Sequence, residues 1–434
     1  SVYGDFRSLG ETVFTGYELR STPTRVLGII VDGVSVTSAG EGQTAEVIVA
    51  ETALYAESGG QDADAGSIVG AGFVLDVIDV QKPIPGLIAH TVVVTSGEVA
   101  VGDDATTVVD QAYRAGANSA HSATHLVHAA LRQILGQDAH QSGSYNKAGS
   151  MRLDFAWSQP LSPETRSEIE DVANSAIRDD LEVTTRILGL DEAKSLGAMA
   201  LFGEKYGDRV RVVEIGGPWS LELCAGTHVG RSSQIGLIDL IAESSVGSSN
   251  RRIEALVGAA AFDSLRTERT IVSQLSSMLK TPKDQLPDRI AELVANLKAA
   301  ERRVAQAEAS KLALRVPELA ASASTVGAVQ VVAQSLGELG SADDLRGLVT
   351  AVRERLASQA AVIALAAEVG GKPTVIVATT AAARDAGAKA GALVRTASTV
   401  LGGGGGGKDD LAQGGGVDDS ATPAAPTAIA DGLR

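Results

Sequence analysis

The sequence predicts an α+β protein in which a β-barrel precedes an α+β domain with a metal site, a long helical hairpin and a C-terminal α/β domain. Three observations support this order. Short alternating strands with Gly and Asp turns fill the first hundred residues. Helical periodicity runs from residue 259 to about residue 314, and short apolar strands alternate with helices after residue 317. With 434 residues and 44% hydrophobic content, the chain is large enough for several cores.

The predicted β-barrel covers residues 1–112. Strands alternate from Gly16 to about Asp110, as in residues 25–33 and 45–50. Within this region, residues 51–61 end a strand and turn through Gly59 and Gly60, which permits positive φ and close approach of a neighbouring backbone. A hairpin turn without further function is the alternative interpretation.

Two pairs of side chains in residues 113–257 have the spacing of metal ligands. His121 and His125 lie four residues apart among good helix formers, which places both imidazoles on one helix face. About a hundred residues later, Cys224 and His228 repeat the separation, and Cys224 is the only cysteine of the chain. Three nitrogens and one sulfur suit tetrahedral zinc better than hard, oxygen-preferring cations. The sequence therefore predicts a zinc site.

The rest of this segment reads as an α+β layer. Gln141 to Tyr145 precede an alternating strand at 150–155, and Gln141 and Ser144 are close enough in sequence to the metal helix to hydrogen-bond a ligand, although a plain turn is the alternative. Ser162, Pro163 and Glu164 form a helix start signal, with an N-cap, Pro at the first position and an acidic first turn. Strands are expected near Val183 and at 210–215.

Two arginines, Arg251 and Arg252, stand directly before a predicted strand or helix start. Their guanidinium groups suit phosphate or carboxylate, and internal salt bridges are the alternative. Residues 258–317 are predicted to form a helical hairpin, because helical periodicity is broken only at Thr281-Pro282 and Leu286-Pro287.

The last segment, residues 318–434, is rich in Ala, Val and Gly and predicts an α/β domain. Buried strands are expected at 329–333, 361–365 and 373–377, with helices at 342–359 and 386–400. The following stretch, Gly402 to Gly416, is so dense in glycine that its amides could approach a phosphate or sugar. An ordered loop is expected there, and a disordered linker is the alternative.

Composition narrows the classes of function. The net charge of −16 argues against non-specific binding of polyanions, so any contact with nucleic acid must be local. A single cysteine excludes an intramolecular disulfide framework and suits a reducing cytoplasm. No apolar run in the sequence is long enough to predict a membrane-spanning helix. Because the chain begins with Ser1 rather than Met, we expect a fragment of a longer protein.

Several of these features occur together in one known family. The His121/His125 and Cys224/His228 pairs, the turn at 56–61, the segment at 251–255 and the glycine run at 412–415 resemble the alanyl-tRNA synthetases, in the same order along the chain. The resemblance is to the C-terminal half: a β-barrel and editing domain, a helical segment and the terminal domain called C-Ala. No ATP-binding or class II adenylation segment is recognised, so we expect the aminoacylation domain to be missing and this chain not to aminoacylate.

The resemblance implies a function and a set of site residues. The implied reaction is hydrolysis of tRNA(Ala) mischarged with serine or glycine, carried out in the cytoplasm with Zn²⁺ held by His121, His125, Cys224 and His228. The implied editing residues are Thr124, Gln141 and Ser144. The implied tRNA-binding residues are Gly59, Gly60, Gln61, Arg251, Arg252, Lys408 and Gln413.

The role of the zinc ion is open at this stage. It could position the substrate or polarise a water, whereas four protein ligands are more typical of a closed structural site. The alternative function is a non-catalytic tRNA-binding and dimerisation module with structural zinc, in which a homodimer forms through C-Ala or the helices. A phosphoesterase-associated domain is a third hypothesis, but the chain has no Asp-His-His run.

Overall fold

The computed structural model describes residues 2–200, 207–431 and 433. The chain forms two compact units, Ser1–Leu275 and Ser276–Arg434. The boundaries of the four predicted domains remain predictions. Within the described residues, none of the helices combines the length and the apolar character needed to cross a lipid bilayer.

The first unit opens with the predicted β-barrel, which is confirmed. Strands β10, β7, β8, β9, β5 and β2 pair in that order, and pairing of β10 with β2 closes the ring. Alternate residues point into the barrel, as Phe73, Leu75 and Val77 do on β8, and form its apolar core. The elements are α1 (Tyr3–Phe6), β1 (Val13–Phe14), β2 (Ser21–Val31), β3 (Val34–Val36), β4 (Ser38–Gly40), β5 (Thr44–Val49), β6 (Glu51–Thr52), β7 (Gly66–Gly70), β8 (Phe73–Ile84), β9 (Leu87–Ala100) and β10 (Asp104–Val109).

An α+β layer follows the barrel within the same unit. Its elements are α2 (Gln111–Leu135), β11 (Gln141–Lys147), β12 (Ser150–Ala156), α3 (Pro163–Arg178), β13 (Val183–Gly189), α4 (Leu190–Ser195), β14 (Arg209–Ile215), β15 (Ser220–Leu223), β16 (Ile238–Ser245) and β17 (Asn250–Val257). Helices α2 and α3 pack on an antiparallel sheet of order β11-β12-β17-β16, and β13, β14 and β15 form a second sheet.

The ends of the two long helices of this layer follow from their sequences. The carboxylate of Asp110 accepts hydrogen bonds from the amides of Ala112 and Tyr113 and so caps the start of α2. The predicted start of α3 is confirmed, because Ser162 Oγ accepts from Thr165 N at 3.1 Å and Pro163 opens the helix. Helix α2 is the element that carries the first two predicted metal ligands.

Two long helices connect this layer to the C-terminal sheet. They are α5 (Ala259–Leu279), which crosses the boundary between the units, and α6 (Leu286–Ala313). Their ends match the predicted break between Thr281 and Pro287. Their arrangement as a hairpin remains a prediction.

The second unit contains a sheet of order β18-β19-β20-β21-β23-β22. Its elements after α6 are α7 (Val316–Ala321), β18 (Ser324–Val326), β19 (Val329–Leu339), α8 (Ala342–Arg355), β20 (Ala361–Val369), β21 (Lys372–Thr379), α9 (Ala381–Asp385), α10 (Ala390–Val400), β22 (Gly404–Gly407), β23 (Leu411–Gly415) and α11 (Ala428–Asp431). Val362 and Ala364 on β20 share a core with α10, whereas Ile363 and Leu365 share one with α8. Burial of both faces explains the continuous apolar run of this strand.

The glycine-rich stretch is neither the loop that we expected nor a linker. Gly404–Gly407 and Leu411–Gly415 pair as antiparallel strands, and β23 joins the sheet through β21. Helix α10 lies so close to them that a Cβ at Gly414 would stand 1.9 Å from Ser398 Oγ. Glycine is therefore required for close packing of the helix on the sheet.

Candidate metal centre

The structure brings the four predicted ligands together. His121 and His125 lie on α2, and Cys224 and His228 lie in the loop that follows β15. Their ligand atoms all fall within 4.8 Å of one another. Cys224 Sγ is 3.4 Å from His121 Nε2 and 3.3 Å from His228 Nε2. In a zinc tetrahedron with ordinary bond lengths the nitrogen to sulfur edge is about 3.6 Å, so the cluster needs little adjustment to hold zinc.

One buried atom in this cluster points specifically to a cation. His125 is almost fully buried, and among the described residues its Nε2 atom has no hydrogen-bond partner. A buried ring nitrogen without a partner is costly, and coordination of a metal satisfies it. The donor set and this free nitrogen both fit zinc.

Each histidine is held at its other ring nitrogen by a different side chain. His121 Nδ1 lies 2.9 Å from Gln61 Oε1, and His228 Nδ1 lies 3.1 Å from Ser122 Oγ. His125 Nδ1 lies 2.8 Å from Glu222 Oε2, at ion-pair distance without the angle of a hydrogen bond. Outer partners of this kind fix the tautomer and the ring orientation of metal-binding histidines. All three Nε2 atoms are thereby left for the metal.

Glu222 places a buried negative charge behind the ligands. Its Oε1 atom lies 2.9 Å from His128 Nδ1, and His128 Nε2 accepts from the amide of Gln141 at 3.1 Å. Burial raises the pKa of the Glu222 carboxyl, but His125 and His128 outweigh that effect and hold the pKa well below its usual range. The carboxylate thus stays ionised and joins β15 to α2, and His128 in turn joins α2 to the start of β11.

The thiol of Cys224 is held in its metal-binding form. Burial raises the pKa of this thiol, but the imidazoles of His121 and His228 outweigh burial and hold the pKa well below its usual range. Burial lowers the pKa of His125, whereas Glu222 and Cys224 raise it to about 10. The thiolate and the carboxylate favour positive charge at this site, which a protonated His125 supplies in the metal-free chain and a bound divalent cation would supply in its place.

The Ser58–Gln61 turn lies at the metal centre, and Gln61 is fully buried there. Gly59 is exposed, whereas Gly60 is half-buried against β11, where a Cβ would stand 2.5 Å from Ser144 O. The Gln61 side chain has no exposed surface and lies against His121, so any role of Gln61 in tRNA binding stays a prediction.

The predicted editing residues lie close to the same network, with one difference among them. Gln141 Nε2 donates to the hydroxyl of the half-buried Ser144 at 3.1 Å. The backbone amide of Gln141 also donates to His128 Nε2. Thr124 is almost fully buried, and its hydroxyl is bonded to Ala120 O and to the side chain of Asn146. The hydroxyl of Thr124 therefore supports the α2 and β11 packing rather than an open pocket.

The other residues predicted to bind tRNA make no contact with the four candidate ligands among the described hydrogen bonds and ion pairs. Arg252 makes a two-pronged ion pair with Asp154 at 2.7 and 2.8 Å, and Arg251 pairs with Glu243. These are the internal salt bridges of the alternative interpretation. In the second unit, Lys408 is exposed between β22 and β23, and Gln413 Oε1 accepts from Arg346.

The outer side of the metal centre is formed by Cys224 and His228, which are only partly buried. Arg211 Nη1 donates to Cys224 O at 2.9 Å and to Gly226 O at 2.8 Å, and its guanidinium lies 4.4 Å from the centre of the Tyr17 ring.

Sequence reasoning missed Glu222, His128 and Ser122, and it gave Gln61 another role. A pattern for two of them was present, since His128 follows His121 by seven residues on the same helix face and Glu222 is an acid within an apolar strand two residues before Cys224. Ser122 carried no such pattern.

Family models match three parts of the chain. Residues 4–113 match a model described as class II (A) tRNA synthetases, residues 210–254 match the second additional domain of threonyl and alanyl tRNA synthetases, and residues 328–432 match the DHHA1 domain. The second match includes Cys224 and ends before Ala255.

Similar proteins cover the entire chain. The alanine–tRNA ligase of Clavibacter michiganensis is 68% identical over 433 residues, which are 100% of this chain and 49% of that protein. The alanine–tRNA ligase of Leifsonia xyli is 66% identical over the same share of each. A crystal structure of the C-Ala domain from Aquifex aeolicus alanyl-tRNA synthetase is 28% identical, covers 26% of this chain and 97% of that domain, and has a TM-score of 0.24.

The chain spans about half the length of the curated relatives that it matches. This chain belongs to the alanyl-tRNA synthetase family and corresponds to its C-terminal half.

Proposed function

We propose that this chain hydrolyses the aminoacyl ester of tRNA(Ala) mischarged with serine or glycine. The observation that supports the proposal best is the convergence of His121, His125, Cys224 and His228 on one point, with Cys224 and His228 only partly buried. A resident zinc ion would supply Lewis acidity or a fixed point of attachment there. The substrate would come from the parent synthetase, whose aminoacylation domain we infer to lie outside this chain.

The residues around the centre would bind and select the amino acid. Gln141 and Ser144 offer an amide and a hydroxyl, already hydrogen-bonded to each other, at the start of β11. A pocket that hydrogen-bonds a hydroxyl rejects an analogue that lacks it, which would favour serine over alanine. Thr124 would keep β11 in place through Asn146.

Contacts with the rest of the tRNA are part of the same proposal. Gly59 is exposed beside the half-buried Gly60, and Lys408 and Gln413 lie at the glycine hairpin of the second unit. Arg251 and Arg252 would contact tRNA only if they gave up their ion pairs with Glu243 and Asp154 for phosphate groups. We further propose that the chain works in the cytoplasm, does not aminoacylate, and forms homodimers through its C-terminal domain or helices.

The second candidate function follows from the number of ligands, because the protein supplies all four. Such sites are usually structural, which would favour a non-catalytic tRNA-binding and dimerisation module. Cys224 and His228 keep part of their surface exposed, which favours the editing function instead, since structural sites are commonly enclosed.

Release of serine from mischarged tRNA(Ala) tests the proposal. We expect Cys224→Ala to lose its zinc and to release serine more than about 100-fold more slowly. This loss exceeds the effect of removing a residue that only orients a metal ligand, which is about 10–100-fold. Gln141→Ala should keep zinc and release serine more slowly. His140→Ala is the matched control, because His140 is an exposed histidine next to Gln141. Unchanged rates in both site variants would refute the site, and a zinc-loaded but inactive wild-type chain would favour the binding module.

A further inference from the structure

We propose that the β-barrel completes the metal centre, with Gln61 as a positioning residue that sets the tautomer and orientation of His121. This inference rests on the proposed metal binding and goes beyond the four ligands. Gln61 stands 60 residues before His121 in the chain, on a turn between β6 and β7. Its side chain nevertheless ends against the His121 ring.

The hydrogen bonds of Gln61 leave one arrangement. Its Oε1 atom accepts from the backbone amide of Thr227 at 2.8 Å, and because a backbone amide can only donate, this contact fixes which end of the side-chain amide is oxygen. Its Nε2 atom donates to Thr227 Oγ1 at 2.7 Å. The same oxygen faces His121 Nδ1 at 2.9 Å, so His121 must donate there and must present a bare Nε2 toward Cys224.

The barrel turn is held rigidly enough to act in this way. Gly59 and Gly60 have φ of 58° and 76°, as a two-residue type I′ hairpin turn requires, and Ser58 and Gln61 exchange backbone hydrogen bonds at 3.0 and 3.2 Å. The turn is also tied to β11, since Asn146 N donates to Gly60 O at 2.6 Å and Asp62 N donates to Asn146 O at 2.9 Å. The backbone at Gln61 is therefore held beside His121.

A second barrel residue contacts the other ligand-bearing segment. The hydroxyl of Tyr17 donates to Ala225 O at 2.5 Å, between Cys224 and Gly226. The barrel thus reaches both halves of the metal centre, α2 through Gln61 and the loop after β15 through Tyr17. A chain that began at residue 113, the predicted start of the zinc domain, would lack both contacts.

The test measures zinc affinity in the whole chain, by competition with a chelator, and the absorption spectrum of the cobalt(II) form. Gln61→Leu removes the acceptor at similar volume, and we expect zinc to bind about 10–100-fold more weakly with a distorted cobalt spectrum. Gln61→Glu keeps an acceptor for both Thr227 N and His121, so we expect affinity and spectrum close to wild type. Ser58→Ala is the control, since it alters the same turn without touching His121.

Rescue by glutamate separates positioning from a general loss of structure, and thermal unfolding of the metal-free variants checks that each is folded. Wild-type affinity in Gln61→Leu would overturn the inference while leaving the metal site intact. Binding as weak in Gln61→Glu as in Gln61→Leu would also overturn it. A wild-type chain that holds no zinc would overturn the metal proposal itself, and the inference with it.

Discussion

Replacement of Arg114 by methionine should destabilise the first unit strongly. Arg114 forms an ion pair with Asp64 in which both side chains are almost completely buried, at 1% and 0% exposure. Its guanidinium also donates to Gly16 O at 2.6 Å and Ala53 O at 2.8 Å. These contacts join the first turns of α2 to the barrel. Because both charges are buried, solvent does not screen them.

The expected cost follows from the charge that remains. In Arg114→Met the carboxylate of Asp64 keeps the amide of Tyr55 as a donor at 2.7 Å but has lost its counter-charge. Removal of one partner from a buried pair costs about 3–5 kcal/mol. The double variant Arg114→Met/Asp64→Leu buries no lone charge, so we expect it to lose less stability than Arg114→Met alone.

Urea unfolding followed by tryptophan fluorescence measures this cost. The two tryptophans of the chain, Trp157 and Trp219, both lie in the first unit, so the signal reports that unit alone. Arg25→Met is the matched control, because Arg25 forms an exposed pair with Asp104 worth about 0–1 kcal/mol. A loss below about 1 kcal/mol in Arg114→Met, or a double variant as unstable as the sum of both single variants, would refute the reasoning.

Two further predictions concern the barrel core and the metal loop. Burial lowers the pKa of His90 to about 4 from its ordinary 6.5, so between these pH values the unfolded chain binds a proton that the folded chain excludes. The free energy of unfolding should therefore fall by about 3 kcal/mol on acidification from above pH 6.5 to pH 4. Urea unfolding of His90→Gln with chelator present should show a shallower pH dependence, and equal slopes would contradict this assignment. A Cβ at Gly226 would stand 2.1 Å from His121 Cε1 and 2.9 Å from Gln61 Oε1, so Gly226→Ala should weaken zinc binding by at least about tenfold. The exposed neighbour variant Ala225→Ser should bind zinc normally by chelator competition, and normal binding by Gly226→Ala would show that the loop adapts.

The sequence alone determined the residue types of the metal site and the local structure that carries half of it. A four-residue separation puts His121 and His125 on one face of any α-helix, whatever surrounds it. The cap at Ser162 and the alternation of the barrel strands are equally local, since they depend on neighbouring residues and a fixed repeat. These features were predictable because each is decided within a few residues.

The tertiary structure decided what stands behind the ligands. Contacts of His121 with Gln61 and of His228 with Ser122 join residues 60 and 106 positions apart, and no spacing rule connects them. The alternatives for Arg252 were an external phosphate or carboxylate and an internal salt bridge, and the pairing of β12 with β17 places Asp154 opposite it. Long-range pairing of strands sets these neighbours, so the sequence could name the candidate metal ligands but could not assign the residues that orient them.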